Sequence, residues 1–260
     1  MTINEGTQFI YANQSSEEFG VFLCSIGSIN TDSNDESYEY IQSTTPFMDK
    51  WHYHGKVKSE PLQFKITIAQ SNGTFIDSEK ERQLKKWLCK SQFYWLQVDQ
   101  KDLNGVNYFC IMSIAEKNNV AKMTGGITLN VLCNSVTPWS NLNTKTYTSN
   151  GTLSFMFNNI SDYDDYILYP KATITPSING NISIVNTTTG VTVTINNCTA
   201  GEIITLDCEN NKIKSSNVSR ILLDDWNKKY LSFKSGINNI TLTGSFTMKL
   251  EYRTSIRVGG

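Results

Sequence analysis

Residues able to do chemistry are few in this chain. Its two histidines are His52 and His54, and an extended backbone would put both imidazoles on one face, the first requirement of a metal site. No third ligand is evident, so the pair reads better as hydrogen-bonded histidines at a strand end. Paired carboxylates for glycoside hydrolysis would have to come from Asp162, Asp164 and Asp165 or from Asp224 and Asp225. Turn chemistry accounts for both clusters, because loop aspartates cap backbone amides. The sequence contains no nucleophile elbow, phosphate loop or H-E-x-x-H motif. The expectation is therefore a protein with no catalytic residue, no metal and no cofactor. Three aromatic residues, Tyr163, Trp226 and Tyr230, are candidates for contacts to a sugar or a partner, which makes a carbohydrate-binding β-sandwich the competing reading. Trp226 sits in a polar Asp224-Asp225-Trp226-Asn227 loop, where an indole can equally cover a sandwich end.

The six cysteines, Cys24, Cys89, Cys110, Cys133, Cys198 and Cys208, include no C-x-x-C pair, so zinc and thioredoxin-like readings lose their spacing. Most lie in apolar strand contexts and are expected as reduced thiols acting as small hydrophobes. A formal net charge of −1 offers no basic field for nucleic acid or an anionic membrane. No apolar segment follows Met1-Thr2-Ile3-Asn4-Glu5 and no run approaches bilayer-spanning length, so neither signal-peptide secretion nor membrane insertion is expected. Asn-x-Ser/Thr triplets such as Asn150-Gly151-Thr152 then follow from an Asn- and Thr-rich composition, not from glycosylation.

With 260 residues and 39% hydrophobic content, two domains are expected. One stretch predicts a helix, Ser78–Lys90. Ser78 and Glu81 have capping-box spacing, and Leu84, Trp87 and Leu88 form one narrow apolar face, with Arg82, Lys85 and Lys86 pointing elsewhere. Before it, Leu62, Phe64, Ile66 and Ile68 alternate with polar residues. After it, Phe93–Val98 and Tyr108–Ile114 flank an Asp99–Gly105 turn region as a hairpin, and Ile127–Cys133 adds a further strand. Phe19–Ile26 reads as a strand or as the entry to one, Thr31–Glu39 as a loop, and Thr44–Gly55 as a stretch rich in turn formers and aromatic residues. The first domain, 1–140, is thus an α+β unit with one helix on an antiparallel sheet.

Asn134–Gly151 reads as a linker or crossing segment opened by Pro138-Trp139. Beyond it, short alternating runs recur: Leu153/Phe155/Phe157, Ala172/Ile174, Ile182/Ile184, Val191/Val193/Ile195, Ile204/Leu206/Cys208, Leu231/Phe233, Ile240/Leu242 and Phe246/Met248/Leu250/Tyr252. Gly and Asn turns separate several of them. That pattern predicts a galectin-like or jelly-roll-like β-sandwich over 141–260, making the chain mainly β.

A set of residues along the chain carries a resemblance. Glu18-Phe19-Gly20-Val21-Phe22-Leu23, the Pro61–Ile68 strand, Leu84, Trp87 and Leu88 leading into Phe93, Tyr94, Trp95, Leu96 and Val98, and the Pro138-Trp139 ending resemble the N-terminal domain of phage distal tail proteins. Tyr169-Pro170-Lys171, Ile203–Asp207, Leu231, Phe233, Gly236-Ile237-Asn238 and Ile240 are similar to that family's C-terminal domain. Nearly the whole chain is covered, and the order of the motifs carries more than any one of them.

The resemblance implies a structural virion component at the tail tip of a long-tailed phage, made in the bacterial host cytoplasm. Family members form a six-fold ring in which N-terminal domains continue the tail tube and C-terminal sandwiches project outward. They join the tube to the tail-tip hub or tail-associated lysin and, in some phages, to receptor-binding proteins. A ring of this kind needs unlike patches on the two sides of each subunit. Arg82, Lys85 and Lys86 on the helix, with Phe93 and Trp95 on the strand after it, are the candidate ring interface. The longest unpatterned pieces, Asn30–Tyr40 and Asn134–Gly151, leave no room for a large inserted arm, so a plain adaptor is expected.

Overall fold

The computed structural model describes residues 7–26, 38–47, 49–58, 60–100, 103–120 and 122–257. The chain is mainly β and divides into two compact units, Met1–Trp139 and Ser140–Arg257. The first contains β1 (Phe9–Tyr11), β2 (Gln14–Ser15), β3 (Val21–Ile26), β4 (Tyr38–Thr44), β5 (Trp51–Lys58), β6 (Gln63–Gln70), α1 (Ser78–Leu88), β7 (Tyr94–Val98), β8 (Asn107–Val120) and β9 (Met123–Cys133). The second contains β10 (Asn143–Asn159), β11 (Lys171–Pro176), β12 (Gly180–Asn186), β13 (Val191–Cys198), β14 (Ile204–Asp207), β15 (Lys212–Ser215) and β16 (Gly236–Tyr252).

In the first unit seven antiparallel strands run in the order β2-β1-β7-β8-β9-β6-β3. The alternation read from the sequence holds: Phe64, Ile66 and Ile68 are buried, and so are Ile127, Leu129, Val131 and Cys133. Thr7 and Leu23 exchange backbone hydrogen bonds, so the stretch entering β1 meets β3 and the sheet curls back on itself. The helix covers the face it encloses. Leu84, Trp87 and Leu88 are buried, and the Trp87 ring stacks on Phe19 at 4.1 Å and on Phe9 at 5.4 Å between centroids. Its indole N–H donates to the Tyr11 carbonyl at 3.0 Å, so the one polar atom of the ring is satisfied inside the core.

The helix start differs from the capping-box reading. Asp77 is the cap, its carboxylate accepting the Lys80 amide at 2.7 Å, and Ser78 is already helical. A carboxylate is at least as good a cap as a hydroxyl and favours the positive end of the helix dipole. Glu81, freed from capping, pairs instead with Lys85 and Lys117, each at 2.7 Å.

The stretch before β6 also differs. Residues 31–37 of the expected loop lie outside the described residues. Tyr38 and Glu39 already belong to β4, and Trp51–Lys58 is a strand rather than turn-rich irregular chain. The two pair as a hairpin that forms a sheet of its own.

In the second unit one sheet supplies both layers of the sandwich. β10 and β16 pair over their full 17-residue lengths, from Asn143↔Tyr252 to Asn159↔Gly236. On the other edge of β16, β12 pairs with residues 240–243 and β11 with residues 246–251, so the neighbour changes at Gly244. Gly244 and Gly151 face each other in the ladder with φ of +114° and +122°, a region open to glycine and strained for other residues. Here the long pair folds over. Tyr147 and Phe155 lie eight positions apart on β10, which a straight strand would separate by about 26 Å. Their rings stack 3.8 Å apart. The Asn143–Gly151 stretch expected as linker is therefore half of one of the two longest strands.

A side chain at Gly244 is excluded on two counts. Its φ is left-handed, and a Cβ built there lies 2.7 Å from the Asn181 carbonyl oxygen. Gly244→Ala is expected to destabilise the second unit by about 2–4 kcal/mol. Gly236→Ala, at φ +82° with open space around it, should cost less. Thermal unfolding followed by near-UV circular dichroism distinguishes the two, and equal melting temperatures would reject the bend as the constraint.

Candidate functional site

The candidate ring residues fall on two surfaces rather than one. Arg82, Lys85 and Lys86 are exposed on the helix, with Lys85 held by Glu81 four residues earlier. Arg82 and Lys86 form no ion pair among the described residues. Lys85 and Lys86 also occupy the last helical turn, where positive charge meets the negative end of the dipole. Because Leu84 and Leu88 pack with Ile68, Ile127 and Leu129, the helix lies on the inner face of the sheet.

Phe93 and Trp95 belong to the opposite side. Leu96 and Val98 of β7 point inward and are buried, so Trp95 points outward by alternation. Trp95 faces Phe109 directly across the β7–β8 ladder, with ring centroids 4.8 Å apart, and Phe93 lies 5.8 Å from the same ring. On the same face Ile111 opposes Leu132, which is 37% exposed, and Ile10 is 46% exposed. The outer face of this sheet thus carries several apolar side chains, of which the sequence reading reached only Phe93 and Trp95.

The three candidate aromatic contacts of the second unit are used within the fold. Tyr163 is buried, with the Arg257 guanidinium 4.9 Å from its ring centroid. Trp226 is buried, donates its indole N–H to the Lys229 carbonyl at 3.0 Å and meets the half-buried Tyr230 edge-on at 4.9 Å. Its backbone bridges Ile195, so the Asp225–Asn227 segment lies along β13 and covers that sandwich edge. Neither Tyr163 nor Trp226 presents an open face for a pyranose ring. Asp162 accepts the Arg257 amide at 2.7 Å, as expected of a loop aspartate.

His54 Nε2 lies 2.6 Å from the Ser43 hydroxyl, and His52 opposes Ser43 in the hairpin ladder. No cluster of three metal-ligating side chains occurs among the described residues. Four cysteines, Cys110, Cys133, Cys198 and Cys208, are buried and free, Cys24 is half-buried and Cys89 is exposed. Burial pushes the Cys133 and Cys208 thiols up to about 12, so neither offers a thiolate near neutral pH.

Sequence reasoning missed one buried ionic network. Arg220 pairs with Glu202, donates through Nε and Nη2 to Asp225 at 3.3 and 3.1 Å, and reaches the Asn196 carbonyl at 2.5 Å. Glu202 also accepts from the Ser215 hydroxyl at 2.5 Å and from the Thr199 amide at 3.2 Å. The network ties the segment after β15 to the ends of β13 and β14. Hydrogen bonding from the Asn197 amide, aided by Arg220, holds the Asp225 carboxyl below the usual carboxylate range. A lone arginine in a polar loop carries no periodic signal that would have announced it.

These features define the class: a two-domain β protein whose most prominent surfaces are apolar faces and strand edges. Residues 4–135 match the model of a phage tail protein N-terminal domain and residues 138–252 that of a phage tail C-terminal domain. The chain belongs to this family of phage tail proteins and is a virion structural component. No curated protein sequence matches it. Its fold is that of the Dit protein (gp 19.1) of phage SPP1, whose crystal structure is described as a paradigm of the hub adsorption apparatus in phages infecting Gram-positive bacteria. That likeness has a TM-score of 0.69 at 12% identity and covers 96% of this chain and 99% of the other. A match to the structure of infectious bursal disease virus, Gx strain, has a TM-score of 0.21 at 11% identity, covering 98% of this chain and 68% of the other, and carries no argument.

The network yields a stability prediction. Arg220→Met leaves Glu202, whose side chain is 3% exposed, buried without its cation, and should destabilise the second unit by about 3–5 kcal/mol. The Asp225 arm has a definite pH sign. A carboxyl held below its ordinary value contributes fully above about pH 4 and loses that contribution as pH falls through its lowered value. Limited proteolysis of the 216–227 segment should therefore accelerate in Arg220→Met at neutral pH and in the wild type only at acid pH. Equal cleavage of the two at pH 7 would reject the anchoring role.

Proposed function

We propose that this chain is a distal tail adaptor, a homo-hexameric ring that joins the tail tube to the tail-tip hub or tail-associated lysin and to receptor-binding proteins. The observation that carries the reading is the end-to-end likeness to SPP1 Dit, over 96% of this chain and 99% of the other, in a chain belonging to a phage tail family. In this reading residues 1–140 form the ring and continue the tube, and residues 141–260 project the sandwich outward. The protein is made in the bacterial host cytoplasm and works without catalysis or cofactor. It has no sequence-specific nucleic-acid partner and does not insert into a membrane.

A closed ring requires a head-to-tail contact in which two unlike patches of each subunit meet. The exposed helix face bearing Arg82, Lys85 and Lys86, and the outer strip around Phe93 and Trp95, are unlike in chemistry and lie on opposite sides of one sheet, which suits that requirement. Burial of Tyr163 and Trp226 counts against the sugar-binding alternative, for which Tyr230 is half-buried.

Light scattering and negative-stain microscopy of the purified chain test the reading directly. The expected particle is an annulus with a mass near six times that of the 29.3 kDa chain. Charge reversal by Lys85→Glu with Lys86→Glu should weaken assembly at low salt and leave thermal stability within about 1 kcal/mol, as for exposed charges. Unchanged assembly removes the helix face from the interface, and a wild-type monomer at all concentrations rejects the ring.

A further inference from the structure

The β4–β5 hairpin is amphipathic. In its ladder Gln42 opposes Tyr53 and Thr44 opposes Trp51, while the register shifts between Ile41 and Gln42 so that His54 is the extra residue. Alternation then places Tyr40, Tyr53 and Trp51 on one face, and the 6.3 Å separation of the Tyr40 and Tyr53 rings agrees. The other face carries Ile41, 47% exposed, and Ser43 with His52 and His54, so the aromatic rings are gathered on one side only. Trp51 is 66% exposed, Tyr53 58% and Tyr40 59%. Phe47, in the segment joining the strands, is fully exposed with φ +68°, a left-handed conformation that bulky residues rarely adopt.

Size indicates what such a face is for. Aromatic side chains present about 150–250 Å² each, so the three on this face together with Phe47 in the connecting segment offer roughly 400–700 Å². That approaches the ~800 Å² per partner of a standard protein interface. A two-stranded hairpin is also only marginally stable alone in water, and among the described residues this one shares no ladder with another strand. The same unit carries a second apolar surface, the outer sheet strip of Trp95, Phe109, Ile111, Leu132 and Ile10. An aromatic face on a two-stranded hairpin and an apolar strip on a seven-stranded sheet are unlike surfaces of one subunit, as a head-to-tail contact requires, and both are apolar where the helix face is charged.

We infer that the aromatic face of the hairpin of one copy docks on the outer sheet strip of the next copy. The inference rests on the ring reading and assigns its principal contact to these two surfaces. The occupant is thus a second copy of this chain.

The test uses the full chain with three exposed residues changed together, Phe47→Ser, Trp51→Ser and Tyr53→Ser, and a second variant, Leu132→Lys, on the receiving strip. Both are expected to raise the concentration needed for ring assembly at least tenfold while keeping the wild-type melting temperature. In a Cys89→Ser background, Trp51→Cys and Leu132→Cys chains should form mixed disulfide-linked dimers on oxidation only when the two are combined. Rings from both variants at wild-type concentrations overturn the docking and leave the ring intact as a reading. Rings that assemble normally from the hairpin variant but no longer bind purified tail tube protein also overturn it, giving the hairpin to the tube. A wild-type chain that stays monomeric removes ring and docking together.

Discussion

A sheet with one oily face has to be covered, and the described residues include a single helix with which to cover two such sheets. The first unit uses the helix. Trp87 reaches into the curl of the sheet, stacks on Phe19 and Phe9, and ties its N–H to β1, so one side chain joins the helix, the first strand and the turn before β3. The second unit has no helix and covers the sheet with itself. That is possible only because the β10–β16 pair folds over at Gly151 and Gly244, bringing residues far apart on one strand into contact. The sandwich core, from Phe157 and Ala172 through Met248 and Leu250, depends on that fold.

The parts of this arrangement legible in the sequence are those where one face is buried. Leu84/Trp87/Leu88 at helical spacing and Phe64/Ile66/Ile68 at strand spacing announce themselves because burial forces the pattern. What stayed hidden lacked that forcing. Asn143–Ser149 is strand, yet its inward positions are Asn143, Lys145, Tyr147 and Ser149, so Thr-rich β propensity is present without apolar alternation. The β4–β5 hairpin has an aromatic side, but the bulge at His54 breaks its period and turn formers crowd the segment between the strands. Asp77 and Ser78 are both good caps, and the coincidence of Glu81 three residues after Ser78 favoured the wrong one.

The candidate site was less legible than the fold for a related reason. An aromatic residue in a polar loop has two uses, outward stacking and inward cover, and the sequence around Trp226 is the same for both. The Arg220 network decides between them. By fixing Asp225 against Asn196 and Asn197, it sets the following residue over β13 with its indole turned in. A buried ion pair adds little net stability compared with an apolar pair of the same size. Its forked geometry fixes direction, which an apolar contact does not.

Direction matters here because the second unit has strand edges to manage. The β13 edge is taken by the Asp225–Asn227 segment, through Asn196 N–H to the Asp225 carbonyl at 2.7 Å and the Asn227 side chain to Thr192 at 2.8 Å. The β15 edge is only four residues long and carries exposed Lys212 and Lys214, two features that discourage pairing with another chain. The β10 edge is the longest, at 17 residues, and pairs with β16 alone among the described residues. Lys145 is its one charged residue, so it carries no row of charges. Its protection is the bend itself, since a strand that turns sharply at Gly151 presents no straight ladder for a second strand to match. The glycine pair that lets the sheet bury its own face therefore also spoils its longest edge as a template, and removing the bend would expose core and edge in the same step.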